Sequence, residues 1–314
     1  FCQGRESDTP APVWVGCIDE DETRIQTPVY TTSDIDQWSV RVVPNKYPAV
    51  TAAPCKNRNG EREPDIFQSR PIGGGHEVII ETPQHAESFS ELDHAEAALV
   101  FKAYQDRIRY WHAKPDIRYI SIFKNVGRAA GASLRHCHSQ LIAVDRQPKL
   151  VANVVERMRH HTAKSGCCLQ CDLIRAELKS KRRIVAQTKS LVAYCPFASR
   201  LPMLFRITTK DHQSRFEELS AEVLEEVSRL TLRAVAWLEQ LHPGTAYNYT
   251  IQTCPPRISG GADAFHWSLE LFPRLTHVAG FEWSSQCMIN PVLPEVAAAK
   301  FRSCVAAEDP RIVL

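Results

Sequence analysis

The chain has 314 residues, 44% of them apolar and 24% charged, with 38 basic against 36 acidic side chains. That length suits two ordinary domains, or one large domain built from a duplicated unit. Nearly balanced charge gives no field to draw the whole molecule to nucleic acid or anionic lipid, and no apolar run nears the roughly 18 to 20 residues of a membrane span. Eleven cysteines, behind a start without a secretory pattern, predict thiol or metal chemistry in a reducing compartment, hence a cytoplasmic protein without a disulfide framework.

The first feature along the chain is Cys2, in "FCQGRE". Two runs rich in β-branched and aromatic residues follow, "WSVRVVPNKYPAV" from Trp38 and "HEVIIE" from His76, and both predict strands. After His85, the side chains of Leu99, Val100, Tyr104, Ile108 and Trp111 recur at three- and four-residue steps, the mark of a helix with one buried stripe. "RYISIFKN" and "SQLIAV" predict two further strands, separated by the small-residue stretch "NVGRAAGAS". Next comes "CCLQCDL", which holds Cys168 and Cys171, and then the basic run "KSKRRIV", read as a solvated face following a helix. The pattern then begins again: strands at "SLVAYCPFA" and "MLFRITT", His212, a helix through Val223, Val227, Leu230, Ala234, Trp237 and Leu241, and strands at "YNYTIQT" and "HWSLELF". Ser220 is the expected N-cap of this second helix.

The recurrence is a duplication. "TPQHAESFSEL" and "TKDHQSRFEEL" share His, three residues, Phe, one residue, Glu-Leu, which aligns His85 with His212 and Phe89 with Phe216. Under that register "RHCHSQL" falls on "FHWSLEL", so His136 matches His266, His138 matches Ser268 and Gln140 matches Glu270. The expected fold is α+β: two tandem units of strand, strand, helix, strand, strand, forming a largely antiparallel sheet with helices packed on it.

Cys168 and Cys171 have the spacing that lets two thiolates meet one zinc from a tight turn. A redox pair or incidental thiols are the alternatives, but His212 and His266 complete a Cys₂His₂ set. The first copy should mirror this with His85, His136 and Cys2, whose partner cysteine is expected upstream of Phe1. Cys17 and Cys55 are alternative ligands without supporting spacing.

On a strand, His136, His138 and Gln140 share one face, with Cys137, Leu141 and Ala143 on the other. With His136 on a metal, His138 remains free. A neutral imidazole is a competent nucleophile near pH 7 when its other ring nitrogen is held by a hydrogen bond, and a phosphoryl group is a suitable electrophile for it. Small residues upstream would let the backbone amides of Gly131, Ala132 and Ser133 approach phosphate oxygens. The alternative is a pair of histidines whose only role is to fill the strand.

The stretch "N-x-G-x-A-A-G-A-S-L-x-H-x-H-S-Q", from Asn125 to Gln140, resembles the signature of the galactose-1-phosphate uridylyltransferase family, the transferase branch of the histidine triad superfamily. Further similarity runs through "FCQGRE", "VRVVPNKYPAV", "HEVIIETPQH", "CLQCDL" and the "GFEWSSQCMINPVLPEVAA" tail. The resemblance implies a histidine-triad-like catalytic half at residues 1–150 and a like half with the second metal site at 151–314. It implies a double displacement: His138 attacks the α-phosphorus of a nucleoside diphosphate sugar and passes the nucleotidyl group to a sugar phosphate or phosphate, with Gln140 bonding the transferred phosphoryl oxygens. It also implies substrate contacts at Asn125, Gly131, Ala132, Ser133 and Leu134, nucleotide contacts at Arg41, Asn45 and Lys46, and sugar contacts at Gly280, Phe281 and Glu282. Two zinc sites, with iron an alternative at the second, and a homodimer belong to the same set. Hydrolases of the superfamily carry a histidine where Gln140 stands, and an amide cannot serve as acid or base at neutral pH, so transfer is expected over hydrolysis.

Two features depart from the family's pattern, and the second leaves the base open. Cys137 stands where relatives often have proline or serine, and the "GASL" loop is closer to adenylyl-transferring relatives similar to ADP-glucose phosphorylase. A dinucleoside polyphosphate phosphorylase or hydrolase is a second enzyme reading. A zinc-stabilised nucleic-acid binder using "KSKRRIV" is the reading from another class.

Overall fold

Ten strands, every neighbouring pair antiparallel, form one sheet in the order β1-β2-β3-β5-β4-β9-β10-β8-β7-β6. In chain order these are β1 (Trp14–Gly16), β2 (Val40–Pro44), β3 (Gly74–Ile80), β4 (Tyr119–Val126), β5 (His138–Val144), β6 (Ile184–Gln187), β7 (Leu191–Tyr194), β8 (Phe205–Thr209), β9 (Tyr247–Gln252) and β10 (Ser268–Pro273). The helices are α1 (His94–His112), α2 (Lys149–Ser165), α3 (Leu169–Ser180), α4 (Ala221–Leu241), α5 (Gly280–Ser285) and α6 (Pro294–Glu308). This computed structural model describes residues 1–2, 4–18, 38–52, 66–67, 70–258 and 261–308; Cys55 lies outside them.

Read from its two edges inward, the sheet repeats itself: 1-2-3-5-4 from one side and 6-7-8-10-9 from the other. The halves meet where β4 pairs with β9, setting Phe123 opposite Thr250 and Asn125 opposite Asn248. The duplication is thus a pseudo-two-fold about that seam. Each copy has one edge strand more than the sequence pattern suggested. In the first copy it is β1, only three residues long. In the second it is β6, where Ile184 and Val185 of the basic run are buried. Arg183 beside them pairs with Glu177 at 2.8 Å and Glu295 at 2.6 Å, so the run is partly structural instead of a uniformly solvated face.

Each central helix enters through a short 3-10 turn, Phe89–Glu91 and Phe216–Glu218, whose phenylalanine is fully buried. Asp93 caps α1 by accepting the Glu96 N–H at 2.7 Å, and the Glu96 carboxylate accepts the Asp93 N–H in return. Ser220 caps α4 by accepting the Val223 N–H. The anticipated stripes face the core: Leu99, Val100, Tyr104 and Ile108 on α1 and Val227, Leu230, Ala234 and Trp237 on α4 join the alternate strand residues Leu141, Ala143, Ile207, Leu269 and Leu271, with Ala298 and Phe301 of α6. On the opposite face, α3 covers the second copy through Ile174 against Ile184, Val192 and Tyr194, while the first copy has a cluster of Val15, Trp38, Val43, Val78 and Ile80. Strand alternation therefore sends one side of β5 into the main core and leaves the other for chemistry.

Helix α1 is tied to β3 by a buried ion pair. Arg107 donates to both oxygens of Glu77, at 2.9 and 2.5 Å, and Trp111 Nε1 donates to the same carboxylate at 2.9 Å. Breaking such a pair strands a charge away from water, at a cost of about 3–5 kcal/mol. Glu77→Ala is expected to lower unfolding free energy by that amount, read as a shifted urea midpoint. A loss under about 1 kcal/mol, the range of exposed pairs, would show that the pair does not anchor the helix.

Candidate active site and metal centres

Two groups of thiols and imidazoles converge, each with ligand atoms all within 4.8 Å of one another: Cys168, Cys171, His212 and His266, and, in the first copy, Cys2, His85 and His136. Cys171 Sγ lies 3.4 Å from His212 Nδ1 and 3.5 Å from His266 Nδ1; Cys2 Sγ lies 3.7 Å from His85 Nδ1 and 3.6 Å from His136 Nδ1. In both groups the strand-side imidazole is oriented from behind. His136 Nε2–H donates to the Thr82 carbonyl at 2.9 Å and His266 Nε2 bonds Thr209 Oγ1 at 3.0 Å, which turns each Nδ1 lone pair inward, as a metal ligand requires.

Burial, with Cys168 beside it, pushes the Cys171 thiol up to about 12, and burial pulls His266 down to about 4. A dication at the centre offsets the thiolate penalty and uses the neutral imidazole. The donor set thus fits a tetrahedral metal site, and among the described residues the first copy supplies three of its ligands. Cys17 belongs to neither group and packs partly against the Val15–Trp38 cluster.

His136 is not in strand β5, as the alternation argument had it, but in the bend just ahead. Pairing begins with His138 opposite Ile80, because the Cys137 N–H is already bonded to the Ala86 carbonyl at 2.7 Å. His136 belongs to the thiol–imidazole cluster and His138 does not. His138 Nδ1–H donates to the His136 carbonyl at 2.7 Å, which fixes the tautomer and leaves Nε2 as the lone-pair nitrogen. The His138 ring is only 6% exposed, with Phe1 edge-on at 5.5 Å. Burial pulls its basicity below the ordinary value, the His136 carbonyl opposes this, and the Lys124 charge adds to the lowering.

The register sets a row beside this ring. Gln140 lies two positions on, between Val78 of β3 and Phe123 of β4, and Arg41 of β2 is opposite Ile80, itself opposite His138. Arg41 is 1% exposed, stacks on Trp38 at 4.6 Å and donates to Thr9 Oγ1, yet its Nε and Nη2 have no hydrogen-bond partner among the described residues. It is no ordinary edge charge. Asn45 and His76 line a cavity of about 520 Å³ at the end of β2 and β3, while Lys46 is exposed.

The loop after β4 turns on Gly127 (φ +80°) and Gly131 (φ +90°), where a side chain would be strained. Its Gly131 N–H bonds the Arg128 carbonyl and its Ala132 N–H bonds the Gly127 carbonyl, so those two amides are engaged within the loop. Ser133 and Leu134 follow without such bonds among the described residues, and both line a cavity of about 740 Å³. Asn248, which the sequence reading did not single out, donates to Asn125 Oδ1 at 2.8 Å and to the Ala130 carbonyl at 2.9 Å, leaving the Asn125 amide nitrogen beside Gly131. Gly280 and Phe281 open α5, where Glu282 accepts the Ala279 N–H; no hydrogen bond joins them to the His138 row among the described residues.

On the core side of β5, Lys124 has no exposed surface. It donates to Glu81, to Cys137 Sγ at 3.0 Å and to the His138 carbonyl at 3.1 Å, while Tyr104 donates to Glu81 at 3.0 Å. Burial opposes both charges, but their mutual attraction prevails, holding Lys124 above and Glu81 below their ordinary values. In the second copy, Arg206 occupies the place of Val78 and forms a buried ion pair with Glu270, the counterpart of Gln140.

A sequence model of the galactose-1-phosphate uridyl transferase N-terminal domain matches residues 26–148. The ADP-glucose phosphorylase of Arabidopsis thaliana is 33% identical over 312 residues, covering 96% of this chain and 80% of that protein. The chain belongs to the galactose-1-phosphate uridylyltransferase family. The Thermotoga maritima galactose-1-phosphate uridylyltransferase is 26% identical over 274 residues, 85% of each chain. Among solved structures, the Arabidopsis ADP-glucose phosphorylase with bound ADP-glucose superposes with a TM-score of 0.79 at 30% identity, over 96% of this chain and 89% of that one. The α+β architecture is the family's fold, and among the described residues no helix is long and apolar enough to cross a membrane.

Metal content tests the second centre. Cys168→Ser or His266→Ala should lose one metal equivalent and a large part of the folding stability, since ligation at such a site contributes to folding. Cys167→Ser, whose thiol accepts from Arg175 at 2.9 Å outside the cluster, should retain the metal. Unchanged metal in Cys168→Ser would mean that the four residues do not form the site.

Proposed function

We propose that this protein is a nucleotidyltransferase of the galactose-1-phosphate uridylyltransferase type. It moves a nucleoside monophosphate from a nucleoside diphosphate sugar to a hexose 1-phosphate through a nucleotidyl-histidine. The observation that carries this is His138: a neutral imidazole with Nδ1 committed to a backbone carbonyl and Nε2 unengaged among the described residues, beside a second histidine turned toward the metal cluster. Nε2 attacks the α-phosphorus, forming an N–P bond as the P–O bond to the sugar phosphate breaks. A phosphate oxygen of the acceptor then attacks the same phosphorus and frees the imidazole. Gln140 donates to the phosphoryl oxygens and offers no acid or base to activate water.

Supporting this reading, Arg41 has two unpartnered guanidinium nitrogens on the face that carries His138. Asn125 presents its amide nitrogen there, and Ser133 and Leu134 offer amides, while the cavity beside Asn45 has the size of a small-ligand site. In this scheme residues 1–150 form the catalytic half and 151–314 the supporting half. Zinc is held by Cys2, His85 and His136, and zinc or iron by Cys168, Cys171, His212 and His266; in the first copy the metal immobilises the bend that leads into His138. Gly280 and Phe281 serve the sugar site of a homodimer, in keeping with a Phe281 that is 57% and a Trp283 that is 75% exposed. Cysteines that form no disulfide among the described residues suit a cytoplasmic setting.

Adenylyl transfer from ADP-glucose to phosphate is the second reading, favoured by the 33% identity to the Arabidopsis phosphorylase over nearly the whole chain.

One experiment tests both. The protein is incubated separately with UDP-glucose and ADP-glucose, and the His138 peptide is examined by mass spectrometry: a uridylyl adduct supports the first reading, an adenylyl adduct the second. His138→Gly should form neither and lose transfer by about 10⁴-fold or more. Retained turnover in that variant, or an adduct on another residue, would remove His138 as nucleophile.

A further inference from the structure

The Gln140 side chain has two nearly isosteric orientations, and only one presents hydrogens to an anion. What selects between them is His76, on the neighbouring strand and diagonal to Gln140 across the β3–β5 pair. The Ala49 N–H donates to His76 Nδ1 at 3.1 Å, so Nδ1 carries the lone pair and the ring proton resides on Nε2. That Nε2 lies 2.9 Å from Gln140 Oε1. A ring N–H can only meet the amide's oxygen, which turns its NH₂ toward the side of His138. Asn45 Nδ2 also lies 3.1 Å from Nε2, but its own carbonyl accepts the Tyr47 N–H at 2.8 Å, so two donors face each other there and no bond competes for the ring. The Asn45 N–H holds the His76 carbonyl at 2.8 Å, fixing the ring from its backbone.

Resting on the transferase reading above, we infer that His76 is a positioning residue. It holds the Gln140 amide with its NH₂ toward the phosphoryl group, so that the donor is in place before His138 attacks. Released from His76, the amide turns over freely. Half of its orientations then set a carbonyl oxygen against the phosphoryl oxygens, and pre-organised stabilisation is lost. The residue touches neither the phosphorus nor the nucleophile and acts only through Gln140.

The test is a double-mutant cycle on single-turnover nucleotidylation of the enzyme, with whichever of UDP-glucose or ADP-glucose labels the wild type. His76→Ala should slow the step on the order of 10²-fold, with KM, metal content and thermal midpoint nearly unchanged. His76→Gln, whose amide nitrogen reaches the place of Nε2, should recover part of the rate; His76→Asn, which reaches only the place of Nδ1, should not. Gln140→Ala should lose a similar factor, and adding His76→Ala to it should lose nothing more. Multiplying losses in the double variant, or an unimpaired His76→Ala, would overturn the positioning role while His138→Gly still abolishes labelling. Labelling that survives in His138→Gly would instead overturn the transferase reading and this inference with it.

Discussion

An ammonium group with no exposed surface holds three strands together at the point where chemistry is expected. Lys124 projects from β4, and its hydrogens go to Glu81 at the end of β3, to the Cys137 thiol and to the carbonyl of His138 at the start of β5. Desolvating such a pair is costly, and only complete hydrogen bonding offsets the penalty. Here Glu81 also accepts from Tyr104 and from Cys137, so both charges are satisfied on all sides. The geometry this imposes is local: the backbone at His138 is gripped from the core side while its ring is held by the His136 carbonyl on the other. Cys137 in place of proline or serine is thereby explained as a member of the network, a small polarisable group that both donates and accepts.

The duplication shows how one framework serves two ends. Both copies keep the 3-10 turn, the long amphipathic helix, the paired imidazoles and the threonine that orients one of them. They part on the face away from the main core. In the first copy that face carries His138, Gln140 and a partly unpartnered Arg41; in the second, Ser268 stands in the place of His138 and a buried Arg206–Glu270 pair lies next to it, with α3 lying over the strands. Arg206 commits Nη2 to Glu270 and Nη1 to Gln170 and Tyr194, so only its Nε lacks a partner among the described residues, against two such nitrogens on Arg41.

Periodicity and the His-Phe-Glu-Leu repeat made the four inner strands of each half, both long helices and the pairing of His85 with His212 legible from residues alone. So were both thiol–imidazole clusters, because histidines at equivalent places in a duplication must converge if the fold is duplicated. The edge strands escaped because three residues at β1 are too few to show alternation and the basic run masked Ile184 and Val185. The placement of His136 within a strand failed because the Cys137 N–H donates to the Ala86 carbonyl, which delays pairing by two residues. His76 and Asn248 went unnoticed since each acts through another side chain, and no spacing rule records such a role. Lys124 did leave a mark: it falls on the buried phase of "RYISIFKN", in step with Ile120 and Ile122, where only a partnered charge is tolerated.

The seam between β4 and β9 bears on how such a protein can change over time. Asn248 belongs to the second copy, yet it supports Asn125 and the Ala130 carbonyl of the loop that precedes His138 in the first. A lineage that discarded the second repeat would lose the prop beneath this loop, so the seam ties the fate of one copy to the other.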